Sequence, residues 1–440
     1  MFIEFNFGNF RSFRDEQKFS LEASPLRNND NGLEEINVFQ SGSIRLLKSK
    51  AVFGGNASGK SNLAKAMAAF IYMVTRSVAV EGIPNGLWND RFQLLSDWDD
   101  QPMFFQYSLL HKEIVYRYGF QILAGIVTYE WLYAGTGETQ AEVFMRTPDE
   151  FDINKKELPA MDAFVQQALS GESELFRADS LFLTAAALSG NKFLGAIRDS
   201  IRRIMAIDGI YDDSALNYAM NTMIKGDDLK KEAIISLLRA ADTGIEDLDI
   251  GELPDHLIDI DTKRELNSVA DGTRRSAVSL FSMHSKFNDK GEVVEKLLVP
   301  FGEWESEGTA KLFGIGSLML DALLEGRIII IDEFDARFHP NLTLKIVQLF
   351  NNPETNPNHA QLIFITHDAS LLKRASLRRD QICLVNKDNY GISSLTTLIE
   401  FKGVRKDASY DKEYLNGTYS AIPFLDKIDE VIKKKVEHGI

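Results

Sequence analysis

The 440-residue chain has a single cysteine, Cys383. An intramolecular disulfide is excluded, and with it a disulfide-framed secreted scaffold. Cys383 lies in the apolar run Gln381 to Val385, which points to a buried strand thiol. No uninterrupted apolar stretch approaches the roughly 20 residues that a membrane-spanning helix needs. The start, Met1-Phe2-Ile3-Glu4-Phe5, lacks a basic segment followed by a long apolar core, so no signal peptide is expected. Basic charge is also in deficit: 49 Lys and Arg face 64 Asp and Glu, a net charge of −15. A global basic footprint for nucleic acid is absent, although charge distribution leaves local patches open. Internal repeats, low-complexity tracts and a sustained heptad pattern are missing, so a long coiled coil is not expected. These absences point to a soluble protein of a reducing, cytoplasmic compartment with no membrane partner. The length allows two or three domains, or one large domain with insertions.

Against that background one stretch stands out: Gly54-Gly55-Asn56-Ala57-Ser58-Gly59-Lys60-Ser61. It fits the G-x-x-x-x-G-K-[ST] phosphate-binding loop without a mismatch. The apolar approach Leu46 to Phe53 predicts a buried strand. The run Asn62 to Val74, with Leu63, Ala66, Met67, Phe70 and Ile71 on one face, predicts a helix. Glycines let backbone N–H groups turn inward around phosphates, and the helix N-terminus adds partial positive charge. In such a loop Lys60 reaches the β and γ phosphates and Ser61 binds Mg²⁺.

Elsewhere the chain alternates between β and helical character. Phe2 to Phe7 and Phe19 to Ala23 predict strands, Asn9-Phe10-Arg11-Ser12-Phe13 an intervening loop, and Pro25 to Ser41 a loop or lid. Met103 to Leu110, Ile114 to Leu123 and Thr128 to Ala134 predict an antiparallel meander of three or more strands, with a turn at Gly125. Asp149 to about Asp242 reads as helical, through Met161 to Leu169, Lys192 to Met205, Asp213 to Met223 and Leu229 to Ala240. Arg198, Arg202 and Arg203 form either a solvated helix face or a phosphate-contacting one. Strands resume at Ser276 to Phe287 and Val293 to Val299. Asp259 and Asp261 place two carboxylates on one side of a strand, a pattern a metal nuclease uses.

The second half of a nucleotide site lies far downstream. Ile328-Ile329-Ile330-Ile331-Asp332-Glu333 predicts a strand buried on both faces, as in a parallel sheet, ending in two acids where such sheets bind ligands. Asp332 would hold Mg²⁺ through its water shell, and Glu333 would orient or deprotonate the attacking water. Lys60 and Asp332 are 272 positions apart, so something large is inserted between them. Gln361 to Thr366 predicts another buried strand, followed by His367 in position to sense the γ-phosphate. Ser306-Glu307-Gly308-Thr309 precedes the amphipathic run Lys311 to Leu324, and serine and glycine at a helix start make an anion site of exposed N–H groups.

In order, these four features (Gly54 to Ser61, Ser306 to Thr309, Asp332-Glu333 and His367) resemble the ABC-type ATPase heads, the class of SMC-like and OLD-like proteins. Within it the chain is similar to the short AAA-type ATPases of bacterial anti-phage defence, among them the ATPase partner of RloB-type nucleases and the AriA subunit of PARIS systems. That resemblance rests on Asn9 to Phe13, Leu181 to Ala186, Asp332-Glu333-Phe334-Asp335, His339-Pro340, Thr366-His367-Asp368, Arg379-Asp380-Gln381 and Tyr414-Leu415-Asn416-Gly417. It implies an α/β fold: an ABC-type P-loop ATPase head with a mixed β-sheet core and an antiparallel β subdomain, plus a helical insertion. The implied division is an N-terminal lobe at 1–148, a helical insertion at 149–243 and a C-terminal lobe at 244–440.

The resemblance implies ATP and Mg²⁺ as cofactors and a homodimer, or higher homo-oligomer, closed as an ATP sandwich. Ser306 and Gly308 of one subunit would cap the γ-phosphate held by Lys60 of the other, with Gly54, Asn56, Ala57, Ser58, Gly59, Ser61 and Asn62 around the phosphates. Arg11 and its loop would sit near the adenine, Asp335 at the dimer seam, and Gln93 or Gln101 would couple the β lobe to Mg²⁺. Two departures stand out. The signature is Ser306-Glu307-Gly308-Thr309 rather than L-S-G-G-Q, and the insertion is short for a chromosome-tethering arm. OLD-like relatives carry a nuclease domain after the ATPase, whereas here 73 residues follow His367. The amphipathic run Phe424 to His438, with Lys433 to Lys435, reads as either a partner-docking helix or a solvated helix end. The reading favoured is an ATP-driven sensor or scaffold controlling a separate toxic effector, a nuclease, in anti-phage defence. The alternative is an SMC-like DNA repair or maintenance ATPase that acts on nucleic acid directly. A self-contained nuclease built on Asp259 and Asp261 is a distant third.

Overall fold

A computed structural model describes residues 1–25, 32–136, 139–159, 161, 164–166, 176–209, 213–252, 278–402, 409–419 and 432. Asp259, Asp261, most of Met161 to Leu169 and nearly all of Phe424 to His438 lie outside these residues. Along the chain the strands are β1 (Phe2–Gly8), β2 (Gln17–Ser20), β3 (Val38–Ser41), β4 (Ile44–Leu47) and β5 (Ser49–Gly54). The aromatic-rich meander follows as β6 (Met103–His111), β7 (Ile114–Leu123), β8 (Ile126–Thr136), β9 (Thr139–Arg146) and β10 (Phe151–Ile153). Then come β11 (Met205–Asp208), β12 (Asp247–Glu252), β13 (Val278–Phe287), β14 (Val293–Pro300), β15 (Ile328–Asp332), β16 (Gln361–Ile365), β17 (Ile382–Lys387) and β18 (Ser393–Thr397).

The chain divides into two compact units. The first comprises Met1–Ala206, Leu323–Asp335 and Thr343–Ile440; the second comprises Ile207–Ala322 and Ala336–Leu342. The helices expected between 149 and 243 are shared between them: Phe182–Leu188 and Lys192–Arg202 belong to the first, Asp213–Lys225 and Asp228–Ala240 to the second.

The first unit is a mixed α/β structure with two large sheets. One has seven strands in the order β10-β9-β8-β7-β6-β1-β2. The meander is thus longer than three strands and continues into the N-terminal pair β1 and β2. The other has six strands in the order β11-β15-β16-β5-β17-β18, with β11 on the outside, where the chain passes into the second unit. Within this sheet β15, β16, β5 and β17 run parallel, and β18 turns back antiparallel on β17. The runs Ile328 to Asp332, Gln361 to Ile365 and Ser49 to Gly54 are buried at every position. Parallel strands covered on both faces require such unbroken burial.

The helix Lys60–Arg76 starts directly after β5 and its loop. Its apolar face, Leu63, Met67, Phe70 and Val74, is buried in one cluster with Phe5, Phe105, Tyr118 and Phe120 of the antiparallel sheet and with Val52 and Ile365 of the parallel one. Phe70 stacks on Phe120 with ring centroids 5.6 Å apart and meets Phe5 edge-on at 5.7 Å. Offset-stacked and edge-to-face contacts of this kind add to the burial of the rings themselves. The segment Leu181 to Ala186 is fixed by Glu130, fully buried on β8. Its carboxylate accepts the backbone N–H groups of Phe182 (2.7 Å) and Leu183 (3.0 Å) at the start of the helix, and pairs with Arg146 at 3.1 Å. A carboxylate buried at that depth needs such partners.

Several expectations are corrected. The approach Leu46 to Phe53 is two strands in different sheets, because Lys48 breaks it. The buried Lys48 ammonium donates to the carbonyls of Ile36 (2.7 Å) and Asn351 (2.9 Å). Pro25 to Ser41 holds the helix Leu33–Asn37 and β3, which pairs with β4 as a hairpin. The expected strand Phe19 to Ala23 is β2, shifted to Gln17–Ser20 by its pairing with β1. The stretch 149–242 also contains the strands β10 and β11. Arg198, Arg202 and Arg203 all have protein partners: Arg198 donates to Thr75 O at 2.9 Å, Arg202 pairs with Asp199 and Arg203 with Glu325.

The second unit contains the antiparallel sheet β12-β13-β14, the helices Asp213–Lys225 and Asp228–Ala240, and most of the helix Glu307–Glu325. Lys230 reaches across to the buried Asp321 carboxylate at 2.6 Å. Among the described residues no helix is long and apolar enough to cross a membrane.

Candidate nucleotide site

The site lies in the first unit at the C-terminal ends of the parallel strands. Val385 of β17 pairs with Gly54 of β5, so the loop after Gly54 emerges beside the end of β17. In the loop, Ala57 has φ 61° and Gly59 φ 112°. An L side chain at Gly59 would sit in the left-handed region, and its Cβ would lie 2.5 Å from Ser393 Oγ and 2.7 Å from Ser12 Oγ. Those two serines clasp the loop. Ser393 donates from its hydroxyl to Ser58 O at 2.6 Å and from its backbone to Ser12 O at 2.7 Å; Asn62 Nδ2 donates to Ser12 Oγ at 2.8 Å. No side chain caps the helix Lys60–Arg76, and no acid occupies its first turn. The Asn62 N–H already donates to Gly59 O at 3.0 Å; the N–H groups ahead of it and the helix dipole favour an anion.

Asn56, Ala57, Ser58, Gly59, Lys60, Ser61, Asn62, Glu333, His367 and Lys387 line one cleft of about 390 Å³. That volume lies within the range of small-molecule sites. The Lys60 ammonium donates to Gly54 O and Gly55 O, each at 2.9 Å. Burial pulls its pKa below the ordinary 10.5; Glu333, Asp332 and Asp335, in that order, pull it back up. A lysine so desolvated among three carboxylates suits an anionic ligand carrying a counter-cation.

Asp332 is the buried last residue of β15, and its Oδ1 accepts the Glu333 N–H at 3.0 Å. Glu333 has φ 48°, a strained value for a non-glycine residue, which turns it off the strand. His367 Nε2 stands 3.7 Å from Glu333 Oε1. The His367 backbone N–H donates to Asp335 Oδ1 at 3.0 Å, so the end of β16 is pinned to the segment after β15. The hydroxyl of Ser61 and the carboxylate of Asp332 are the kinds of donor a magnesium ion takes. The glycine loop, Lys60 and these acids together fit a magnesium–nucleotide complex.

Other candidates sit elsewhere. Arg11 is not among the cleft residues; it pairs with Asp90 at 2.9 Å, and its guanidinium lies 5.8 Å from the Phe10 ring centre. Phe10 and Phe13 are buried core residues. Asn9 accepts from Phe92 N and donates to Gln101 O, tying this loop to the 92–101 segment. The Gln93 side chain donates to Asn89 O, and neither Gln93 nor Gln101 lines the cleft. Ser306 and Gly308 lie in the second unit. There Ser306 Oγ accepts the Thr309 N–H at 3.1 Å and contacts Thr309 Oγ1 at 2.9 Å. A Cβ on Gly308 would fall 2.8 Å from Arg337 O, and Glu307 pairs with Arg337 at 3.1 Å. Just upstream, Glu305 accepts from Ser282 Oγ at 2.5 Å and meets His284 Nε2 at 2.8 Å. Among the described residues no group of three or more His, Cys, Asp or Glu side chains is placed to hold a metal on its own.

Sequence reasoning missed Ser12, Ser393 and Lys387. Ser12 stands inside the Asn9 to Phe13 motif; Ser393 comes to the loop on β18, which carries no signal of its own, and Lys387 ends β17, two residues past the apolar run Gln381 to Val385. Tyr414 was noted only for resemblance; its ring packs edge-on against Phe53 at 5.9 Å, directly before the loop.

A family model described as "AAA domain, putative AbiEii toxin, Type IV TA system" matches residues 51–373. No curated protein matches the chain.

Proposed function

The chain belongs to the AAA-domain family whose model it matches, a P-loop ATPase fold, and from that premise we propose that it binds and hydrolyses ATP to control a separate toxic effector in anti-phage defence. The observation that carries this reading is the cleft in which the glycine loop after β5, Glu333 after β15 and His367 after β16 meet. The family's description links such domains to toxin–antitoxin systems, which supports a partner chain as the seat of the toxic chemistry. The finer affinity, to the ATPase partners of RloB-type nucleases and to PARIS AriA, belongs to this proposal.

In this reading the loop N–H groups, Lys60 and the helix terminus bind and orient the triphosphate, with Asn62 beside them. Ser61 and Asp332 would hold Mg²⁺, which when bound draws charge from the phosphate oxygens. Glu333 is the general base. Its strained backbone and the Asp332 hydrogen bond aim its carboxylate into the cleft, where it accepts a proton from the attacking water. His367, held through Asp335, stands beside that carboxylate and donates toward the terminal phosphate. Ser306 and Gly308 act on the nucleotide of a second copy, closing an ATP sandwich.

The test is to purify the chain alone and with the product of a neighbouring gene, with and without ATP. ATP turnover by the chain, and ATP-dependent association with or restraint of the neighbour, are expected. Turnover stimulated by DNA, with no effector bound, would instead favour a DNA maintenance ATPase.

A further inference from the structure

Lys387 has no place in the motifs that define the site, yet it lines the same cleft as Lys60, Glu333 and His367. Two registers fix its position. In the parallel direction, Val385 of β17 lies opposite Gly54 of β5, so Lys387, two residues on, extends past the strand end alongside the glycine loop. In the antiparallel direction, Lys387 pairs with Ser393, whose hydroxyl donates to Ser58 O at 2.6 Å. Residues two apart on a strand point to the same face, so Lys387 shares the face of Val385. Its side chain is exposed, and among the described residues no carboxylate is ion-paired with it.

The charge around the cleft explains why a second lysine would stand there. Asp332, Glu333 and Asp335 all act on the Lys60 ammonium. A single lysine facing three carboxylates offers little net attraction for a polyanion, and a further cation lining the same cleft restores it. Lys387 shares the cleft with Glu333 and His367, the two residues assigned to the end of the phosphate chain where water attacks.

We propose that Lys387 is a second phosphate-binding cation of the nucleotide site, engaging the terminal phosphate and so favouring a nucleoside triphosphate over the diphosphate. This rests on the nucleotide reading of the cleft and adds a residue that sets ligand specificity. Lysine suits the role because its flexible stem presents a compact point charge that follows a phosphate as it moves. Ser393 serves two ends: it holds the loop through Ser58 and fixes the strand register that presents Lys387.

The experiment measures binding of fluorescent ATP and ADP analogues to the full chain by anisotropy, for wild type, Lys387→Ala and Lys387→Arg, at two salt concentrations. Lys387→Ala is expected to weaken ATP binding by roughly tenfold, the order expected for one charge-assisted hydrogen bond. ADP binding should stay within about twofold of wild type, as expected if no contact to the α or β phosphate is lost. Lys387→Arg should retain most of the ATP affinity, and the salt dependence of ATP binding should be shallower in Lys387→Ala. Equal losses for ATP and ADP, or no loss for either, overturn the proposal. An unchanged thermal melt establishes that Lys387→Ala is folded; if it is not, Lys387→Gln, which keeps the stem and removes the charge, carries the same comparison. Should wild type bind neither nucleotide, the reading of the cleft itself fails, an outcome separate from the failure of Lys387.

Discussion

The glycine loop after β5 and the segment ending in Ser306 each lead into a long helix, and they treat the start of that helix in opposite ways. Before Lys60–Arg76, the chain leaves the helix end uncapped and free of acid, with the loop clasped from outside by Ser12 and Ser393. Before Glu307–Glu325, Ser306 caps the helix with its own hydroxyl, and Glu307 places a carboxylate in the first turn. A helix terminus whose N–H groups and dipole are unspent is an anion site at rest; one already satisfied by serine and glutamate is not. The first loop is therefore built to bind. The second must exchange an internal hydrogen bond for an external one before it can bind an anion.

The largest effect expected is on turnover. Glu333→Gln keeps the shape of the first site and removes its base, so steady-state ATP hydrolysis should fall by roughly 10²–10⁴-fold while nucleotide binding persists. Lys60→Ala should lose binding itself. Normal hydrolysis by Glu333→Gln would show that the proton goes elsewhere. Next comes a matched pair that tests the contrast directly. Gly59→Ala forces a left-handed backbone and a Cβ against Ser393 and Ser12, and ATP affinity should drop by about 100-fold, the equivalent of a few kcal/mol of strain. Gly308→Ala brings its Cβ to 2.8 Å from Arg337 O, a clash local to the second unit, and should leave nucleotide binding by the isolated chain unchanged. Equal effects from the two alanines would erase the distinction between the loops.

Ser306→Ala separates two roles of the second loop. Loss of the cap alone costs about 1 kcal/mol of stability, read as a small fall in melting temperature. A role in trans adds a drop in turnover of roughly tenfold that appears only at concentrations where the chain self-associates; turnover unaffected at every concentration leaves Ser306 a cap and no more.

The smallest effect concerns Cys383, buried on β17 beside the first loop. Burial raises its pKa from 9.0 to about 11. The folded protein thus keeps a proton that the unfolded chain releases, and stability should fall as pH rises from about 9 to about 11. Thiol labelling at pH 8 should be slow in the native protein and fast in urea. Fast native labelling would mean that β17, the strand that ends in Lys387, opens.

The parts of the site legible in the sequence are those whose chemistry is written locally. The loop Gly54 to Ser61 declares itself through residue types at fixed spacing, and Asp332-Glu333 through four isoleucines that can only be a doubly covered strand. Parts that depend on which strand lies beside which were not legible. β17, which ends in Lys387, reaches the loop through pairing of Val385 with Gly54 across 331 residues, and Ser393 through a hydrogen bond to Ser58 across 335. Lys48 splits an apolar run because its ammonium finds buried carbonyls at Ile36 and Asn351, a solution invisible in the run itself. Arg11, whose loop the resemblance places near the adenine, pairs with Asp90, a contact that no local pattern announces; the tight turn at Asn9 and Arg11 sends Phe10 and Phe13 into the core.

The neighbouring order β15-β16-β5-β17 has a practical corollary. Each strand delivers one instrument to a common rim, and none depends on the length of chain that joins it to the next. Of the span from β5 to β15, the helix Lys60–Arg76 and the strands β6 to β8 share one core with β5 and β16, whereas Asp213 to Ala322 belongs to the second unit and, among the described residues, adds no strand to this sheet, so the rim does not fix the length of that stretch.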